Sequence, residues 1–141
     1  MTVGTDVRQA DADASWRRQR ADRGLRAWQS GMAAERSVAA CYDRRGADLL
    51  ETRWRGEGGE IDLIMRDAET LVFIEVRYRA NSRFGSALES VTHTKQRRLI
   101  TAARFYLAQH GLSCSCRFDV VGVEGTSPRS IHWIRHAFEA F

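Results

Sequence analysis

Two acidic side chains and one basic side chain occur within a short stretch of this sequence, in a pattern suited to phosphoryl-transfer chemistry. Asp62 lies in the run 59–64, and Glu75 and Arg77 lie in the run 71–77. If these runs pair as a β-hairpin, Asp62 and Glu75 come close together, and Arg77 shares a strand face with Glu75. Two neighbouring carboxylates repel each other unless a proton or a cation separates them. The pattern therefore predicts a cation site in the hairpin.

Such a site could support metal-assisted attack on a phosphate. Carboxylate oxygens suit Mg²⁺ or Mn²⁺, which keep several waters and join phosphate oxygens. A positive side chain beside the metal stabilises negative charge on a phosphoryl transition state. The alternative is a ladder of Asp, Glu and Arg ion pairs at an exposed strand end. We favour the metal site because the acids adjoin strongly apolar runs and a Gly-Glu-Gly-Gly loop, residues 56–59, precedes them.

The elements around this hairpin predict an α/β fold with a mixed central sheet flanked by helices. Apolar periodicity and glycine stops predict helices from near residue 31 to 45 and from about 94 to 109. Apolar and β-branched runs predict strands at 47–55, 59–64, 71–77, 117–123 and 131–134. The predicted order is α-β-β-β-α-β-β. We expect residues 1–24 to form a flexible tail, disordered or loosely helical, because they are polar and lack a period, and residues 25–141 to form one domain.

One acidic residue of the first helix falls within its apolar stripe. The stripe consists of residues at helical spacing, namely Trp28, Met32, Glu35, Ala39 and Tyr42. A carboxylate that faces a core needs a partner. Glu35 therefore either pairs with an arginine or faces the site of Asp62 and Glu75, and the spacing leaves both arrangements open.

Basic residues are concentrated after the hairpin. The chain of 141 residues has a net charge of +4, which favours polyanionic partners. Between residues 77 and 104 a single acid, Glu89, opposes seven basic residues, namely Arg77, Arg79, Arg83, Lys95, Arg97, Arg98 and Arg104. This stretch includes a helix N-terminus, where backbone N–H groups favour phosphate. We expect Arg79, Arg83, Lys95, Arg97 and Arg98 to hold a nucleic-acid backbone without reading base sequence.

In combination, these motifs resemble the YraN-like group of small bacterial proteins, which are predicted nucleases. The resemblance spans roughly residues 31–122. It rests on segments 59–64, 72–77 and 95–99, together with Phe84-Gly85 and Ala34-Glu35.

The resemblance implies the PD-(D/E)XK, restriction-endonuclease-like fold, with similarity to archaeal Holliday-junction resolvases. It further implies that Asp62, Glu75 and the Val76 carbonyl bind the metal, with Glu35 as a helix-borne acid near the site. Arg77 occupies the position of the catalytic lysine of that family. Lys95, the one lysine in the chain, could supply an ammonium group from the second helix, although the sequence does not establish that it reaches the site.

These observations predict an endonuclease dependent on Mg²⁺ or Mn²⁺ that acts on DNA rather than RNA and selects structure rather than sequence. Glu35, Asp62, Glu75 and Arg77 are the predicted catalytic residues. The alternatives are a nucleic-acid-binding protein of the same fold that has lost cleavage, and a protein whose basic face meets an acidic partner. Three cysteines without zinc-site spacing and the absence of a long apolar stretch predict a cytoplasmic chain away from membranes. A homodimer stays open.

Overall fold

The helices and strands follow one another along the chain in the predicted order. The computed structural model describes residues 7–79, 87–125 and 130–140, except for the side chains of residues 7–14, 16, 27 and 28. The elements are α1 Val7–Arg44, β1 Asp48–Gly56, β2 Gly59–Asp67, β3 Thr70–Arg79, α2 His93–Gln109, β4 Ser115–Glu124 and β5 Ser130–Phe138. Neither of these helices is both long and apolar enough to cross a membrane, within the residues described.

The described strands form one sheet in the order β1-β2-β3-β4-β5. Strands β1, β2 and β3 are antiparallel neighbours, β3 and β4 are parallel, and β5 returns antiparallel to β4. A parallel pair needs a crossover connection, and α2 lies in the connection between β3 and β4. The mixed sheet flanked by helices confirms the predicted α/β class and is consistent with a restriction-endonuclease-like core.

The side chains of β3 divide the core into one layer on each face of the sheet. Val72 and Ile74 pack with residues of α1. Leu71 and Phe73 alternate with them and pack with residues of α2, including Leu99. Burial of each large apolar side chain contributes about 1.5–3 kcal/mol. Because Glu75 follows Phe73 by two positions, the same alternation directs it towards α2.

A buried carboxylate joins α1 to the last two strands. Asp119 is 1% exposed and lies where the β4–β5 register shifts. It accepts hydrogen bonds from the Tyr42 hydroxyl at 2.6 Å and the His136 backbone N–H at 3.0 Å, and it pairs with Arg117 at 3.1 Å. These partners compensate the cost of burying the charge. We interpret Asp119 as a structural residue that fixes the sheet on which the site is built.

Two predicted boundaries were wrong. The first helix begins at Val7 instead of near residue 31; it runs through Gly24 and Gly31 although each glycine costs about 1 kcal/mol in a helix. The last strand continues to Phe138, well beyond residue 134, because the His136 backbone N–H finds its partner in Asp119. The flexibility of residues 1–24 and the single domain at 25–141 remain predictions.

Candidate active site

Strands β2 and β3 stop pairing at the two acids. Their last backbone pair is Leu63 with Ile74, so the next opposing positions in the antiparallel register are Asp62 and Glu75. The backbone N–H of Val76 donates to the Asp62 carboxylate at 2.9 Å. The Asp62 side chain thus accepts a hydrogen bond that a backbone carbonyl of the neighbouring strand would accept in a regular sheet. This hydrogen bond orients Asp62 towards Glu75.

Asp62 and Glu75 both line one cavity of about 490 Å³ under the start of α2, a volume typical of ligand sites. The other lining residues come from the β1–β2 turn, β2 and α2, namely Gly58, Gly59, Glu60, Thr92, Thr94, Lys95, Arg98 and Leu99. Both predicted metal-binding carboxylates therefore reach the same space. Glu35 does not line this cavity.

The glycine loop before β2 closes one side of the cavity. Gly56 pairs with Gly59, so the loop is a tight turn between β1 and β2. Gly58 has φ +99, and a Cβ added there would meet the Thr101 side chain at 2.8 Å and the Ala102 backbone nitrogen at 3.0 Å. Only glycine accommodates both this φ and this close approach to α2. Gly58 therefore serves the close packing of this loop against α2.

Positive charge reaches Glu75 from two directions. Lys95 from α2 places its ammonium nitrogen 2.6 Å from Glu75 Oε1, and Arg77 places Nη1 3.5 Å from the same oxygen. Arg77 Nε also donates to the Ser90 hydroxyl at 2.9 Å, which fixes the guanidinium. Glu75 is only 5% exposed, so these ion pairs compensate its burial. An ammonium therefore lies at the carboxylate pair although position 77 is arginine.

Asp62 has no such compensation within the described residues. Its partner there is the Val76 N–H, and none of the described ion pairs includes it. Burial away from water, the negative charge of Glu75 and, to a smaller extent, the charge of Glu35 raise the pKa of Asp62 to about 8. At neutral pH the cluster thus favours either a proton or a cation beside Asp62.

Glu35 pairs with an arginine, one of the two arrangements that the sequence left open. Arg53 of β1 contacts both carboxylate oxygens of Glu35, with Nε at 2.9 Å from Oε2 and Nη2 at 3.4 Å from Oε1. Because α1 packs on the sheet face opposite α2, this pair lies away from the cavity while its charge still acts on Asp62. The catalytic role of Glu35 stays a prediction.

The donor set at the cavity fits a hard divalent cation. Asp62 and Glu75 provide two carboxylates. In the part of the chain that the structure describes, no three His, Cys, Asp or Glu side chains converge into a metal site of their own. Mg²⁺ is commonly held by one or two carboxylates, with water and phosphate oxygens as the other ligands. A metal at Asp62 would also remove the charge conflict with Glu75. The role of the Val76 carbonyl as a ligand remains a prediction.

The predicted nucleic-acid residues occupy different positions around this cavity. Lys95 and Arg98 line it, whereas Arg97 is exposed and donates to Thr94 Oγ1 at 3.3 Å. Arg79 is half-buried, and its Nε lacks a hydrogen-bond partner among the described atoms. Arg83 lies in residues 80–86, outside the described residues. The N-terminus of α2, capped by Thr92, adds backbone N–H groups that favour anions.

Sequence reasoning missed Arg53 and Ser90. Arg53 pairs with a residue 18 positions away, and Ser90 binds Arg77 across 13 positions. Neither contact follows from helical or strand periodicity, because each depends on how separate elements pack. The position of the Glu35 carboxylate in an apolar stripe was the one signal that an arginine partner was needed.

Known proteins similar to this chain share most of its length. Residues 34–123 match the uncharacterised protein family UPF0102. A UPF0102 protein of Chromohalobacter salexigens is 57% identical over 112 residues, which cover 79% of this chain and 91% of that protein. UPF0102 proteins of Nitrosomonas europaea and Pseudomonas putida are 48% and 44% identical, and the alignments cover 96% and 93% of their lengths. The chain therefore belongs to UPF0102, the YraN-like family that its motifs indicated.

Proposed function

We propose that this protein is an endonuclease of the PD-(D/E)XK superfamily, dependent on Mg²⁺ or Mn²⁺ and acting on DNA. The observation that carries the proposal is the facing pair of Asp62 and Glu75 in one cavity, with Asp62 uncompensated and Lys95 beside Glu75. An acid with a strongly raised pKa in a cleft is typical of a functional site. In a ladder of ion pairs, every carboxylate would have a cationic partner. That alternative does not explain why Asp62 lacks an ion pair among the described residues.

Each residue of the cavity has a role that follows from its position. Asp62 and Glu75 would hold the metal, which supplies a bound water of lowered pKa and neutralises the scissile phosphate. Lys95 brings its ammonium to the same carboxylate pair, 2.6 Å from Glu75 Oε1, where it would stabilise negative charge on the phosphate. The Arg77 guanidinium, fixed by Ser90, provides a permanent charge that stabilises a developing anion.

Backbone contacts would orient the substrate without base readout. The start of α2 lines the cavity with Thr92 and Thr94 and directs its helix N-terminus to that space, which suits a phosphate. Arg98 in the cavity and the exposed Arg97 extend the positive surface along the helix. Phosphate contacts position nucleic acid but carry no sequence information. This supports selection of DNA structure, such as branches or nicks, over selection of sequence.

A second candidate is a DNA-binding protein of the same fold without cleavage. It is favoured by the contact of 2.6 Å between Lys95 and Glu75, because an ammonium bound to the carboxylate competes with a metal for the same oxygen. In that case the cationic cluster would bind phosphates directly.

Cleavage of a substrate panel distinguishes these candidates. The purified protein is incubated with branched, nicked, single-stranded and linear duplex DNA, and with matched RNA, in Mn²⁺, Mg²⁺ or EDTA. We expect metal-dependent nicking of DNA, strongest on branched or nicked forms. Binding to the panel without cleavage in either metal would favour the second candidate. As a control for contaminating nucleases, Glu75→Gln purified in parallel should be inactive.

A further inference from the structure

The amino-terminal half of α1 extends beyond the packed part of the protein. Ala34 and Val38 are buried against the sheet, whereas the described side chains of residues 15–26 are all exposed. With a rise of 1.5 Å per residue, this segment spans about 18 Å of helix. Most helices in proteins gain their stability by packing an apolar face. Residues 15–26, the arm of α1, contribute no such packing, and their side chains face solvent.

The arm points beyond the end of the sheet that carries the candidate active site. Glu35 of α1 contacts Arg53, which lies opposite Asp62 between two paired positions of β1 and β2. The helix then ends at Arg44, and after a short connection β1 begins at Asp48, at the other end of the strands. α1 therefore runs along the sheet in the opposite sense to β1. The part of α1 before Glu35 continues past the end of the sheet at which the cavity lies.

A ridge of arginines follows the arm. They recur every three residues, namely Arg17, Arg20, Arg23 and Arg26. Residues at this spacing form a row on a helix surface, and this row rises about 13.5 Å. Arg18 adds a fifth cation, and Asp22 is the one acid among residues 15–26. The arm thus has a net charge of +4, which equals that of the whole chain.

Solubility alone does not account for this charge. A solvated helix commonly mixes both signs at spacings of three or four residues. In this chain the signs are separated, because the other acids of the first 26 residues, Asp6, Asp11 and Asp13, all precede the arm. The UPF0102 match begins at residue 34, so the ridge lies outside the matched region. An excess of exposed arginine that neither the core nor the candidate site uses favours a polyanionic ligand.

We propose that this arginine ridge binds the phosphate backbone of duplex DNA beside the cavity, so that the preferred substrate has a double-stranded segment next to the cleaved phosphate. This inference rests on the proposed function, because it assumes that DNA enters the cavity. Arginine makes two-point contacts with phosphate. A duplex is stiff over such lengths, so a straight helix can contact several of its phosphates at once. A single strand would first have to be ordered.

The position of the ridge sets the length of duplex that it contacts. Along the helix axis, Arg26 and Arg17 lie about 13.5 and 27 Å before Glu35. Base pairs are spaced by about 3.4 Å. A duplex that follows the helix would therefore meet the ridge about four to eight base pairs from the site.

Replacing Arg17, Arg23 and Arg26 together with glutamine tests the ridge in the full chain. Glutamine has a helix propensity close to that of arginine. Fluorescence anisotropy in EDTA measures binding to a long nicked duplex and to single-stranded DNA of equal length, without cleavage. For the duplex we expect a loss of affinity of about 10-fold or more at 0.1 M salt, and a slope of log K against log salt reduced by about 2–3. For the single strand the loss should be within about threefold.

The matched control removes three exposed arginines away from the cavity, namely Arg44, Arg66 and Arg135, each replaced by glutamine in one chain. Because the control lowers the net charge equally, it should bind the duplex within about twofold of the natural chain. Lysine at the three ridge positions keeps the charge and should bind within about threefold of the natural chain.

Several outcomes would overturn the inference. They are an unchanged affinity and salt slope in the glutamine variant, an equal loss in the control, and an equal loss on single-stranded DNA. Should circular dichroism show that the glutamine variant loses helix, the lysine variant decides, and a loss of about 10-fold in that variant would overturn the inference. Absence of DNA binding by the natural chain would instead contradict the proposed function, and the inference with it.

Discussion

Replacing Asp62 with asparagine should make the metal-free protein more stable at alkaline pH. The amide oxygen of the introduced asparagine can still accept the hydrogen bond that the Val76 N–H donates to Asp62. The substitution therefore removes the charge while it keeps the local geometry. In the natural chain, burial and Glu75 raise the pKa of Asp62 to about 8 from the ordinary value of 3.8. The folded state thus retains a proton that the unfolded state releases.

The sign and size of the effect follow from this difference. Between pH 4 and about pH 8 the folded state binds more protons than the unfolded state, so the free energy of unfolding falls as pH rises. One pKa unit corresponds to about 1.4 kcal/mol, and a rise from 3.8 to about 8 therefore limits the loss to roughly 5 kcal/mol at pH 8. We expect about 2–3 kcal/mol, because the carboxylate can turn towards water. Asp62→Asn should gain this amount at pH 8 and almost nothing at pH 4.

Urea unfolding of both proteins in EDTA at several pH values measures the difference. Titrating groups remote from Asp62 contribute equally to the two proteins and cancel. Asp48→Asn, which removes an exposed carboxylate of β1, should show no comparable trend. With Mn²⁺ at a hundredfold its Kd, the natural chain should gain about 2.7 kcal/mol and Asp62→Asn should gain little. A variant that is less stable than the natural chain at pH 8, or a difference independent of pH, would refute the reasoning about Asp62.

Three further predictions concern other parts of the molecule. Replacing both Arg97 and Arg98 with alanine should weaken binding of all DNA sequences alike and reduce the slope of log K against log salt by about 2. Fluorescence anisotropy measures both quantities, and an unchanged slope would exclude this face as the DNA-binding surface. Lys95→Gln should lower the cleavage rate by about 100-fold with a small change in DNA affinity, and equal rates would show that its ammonium is unnecessary. Asp119→Ala should lower the free energy of unfolding by about 3–5 kcal/mol, and a loss below about 1 kcal/mol in urea titrations would contradict its structural role.

The hairpin and α2 could be predicted because the sequence patterns that indicate them involve only neighbouring residues. Alternation along β2 and β3 and a short polar turn fix the register, and that register places Asp62 opposite Glu75. Thr92, a residue type that commonly caps helices, caps the start of α2. The position of Lys95 could not be derived, because it depends on the crossover between β3 and β4, and residues 80–86 within that connection carry no periodic pattern.

Other features depend on tertiary contacts that override local rules. Arg53 adopts a left-handed conformation inside a strand, which no propensity scale predicts for arginine, and its partner Glu35 lies on a helix. Strict alternation along β2 would place Ile61 on the same face as Leu63 and Met65, but Ile61 packs on the α2 side of the sheet. This change of face falls between Ile61 and Leu63, where β2 and β3 stop pairing.

The most direct test of the metal site is single-turnover cleavage of a branched DNA by the natural chain and by Asp62→Asn, with Mn²⁺ and with EDTA. We expect cleavage by the natural chain in Mn²⁺ alone and a loss of about 100-fold or more in Asp62→Asn. DNA affinity in EDTA should be retained, because Lys95 and Arg98 are intact. Cleavage at equal rates by both proteins, or DNA binding by the natural chain without cleavage in Mn²⁺ or Mg²⁺, would contradict the assignment of Asp62 and Glu75 as a catalytic metal site.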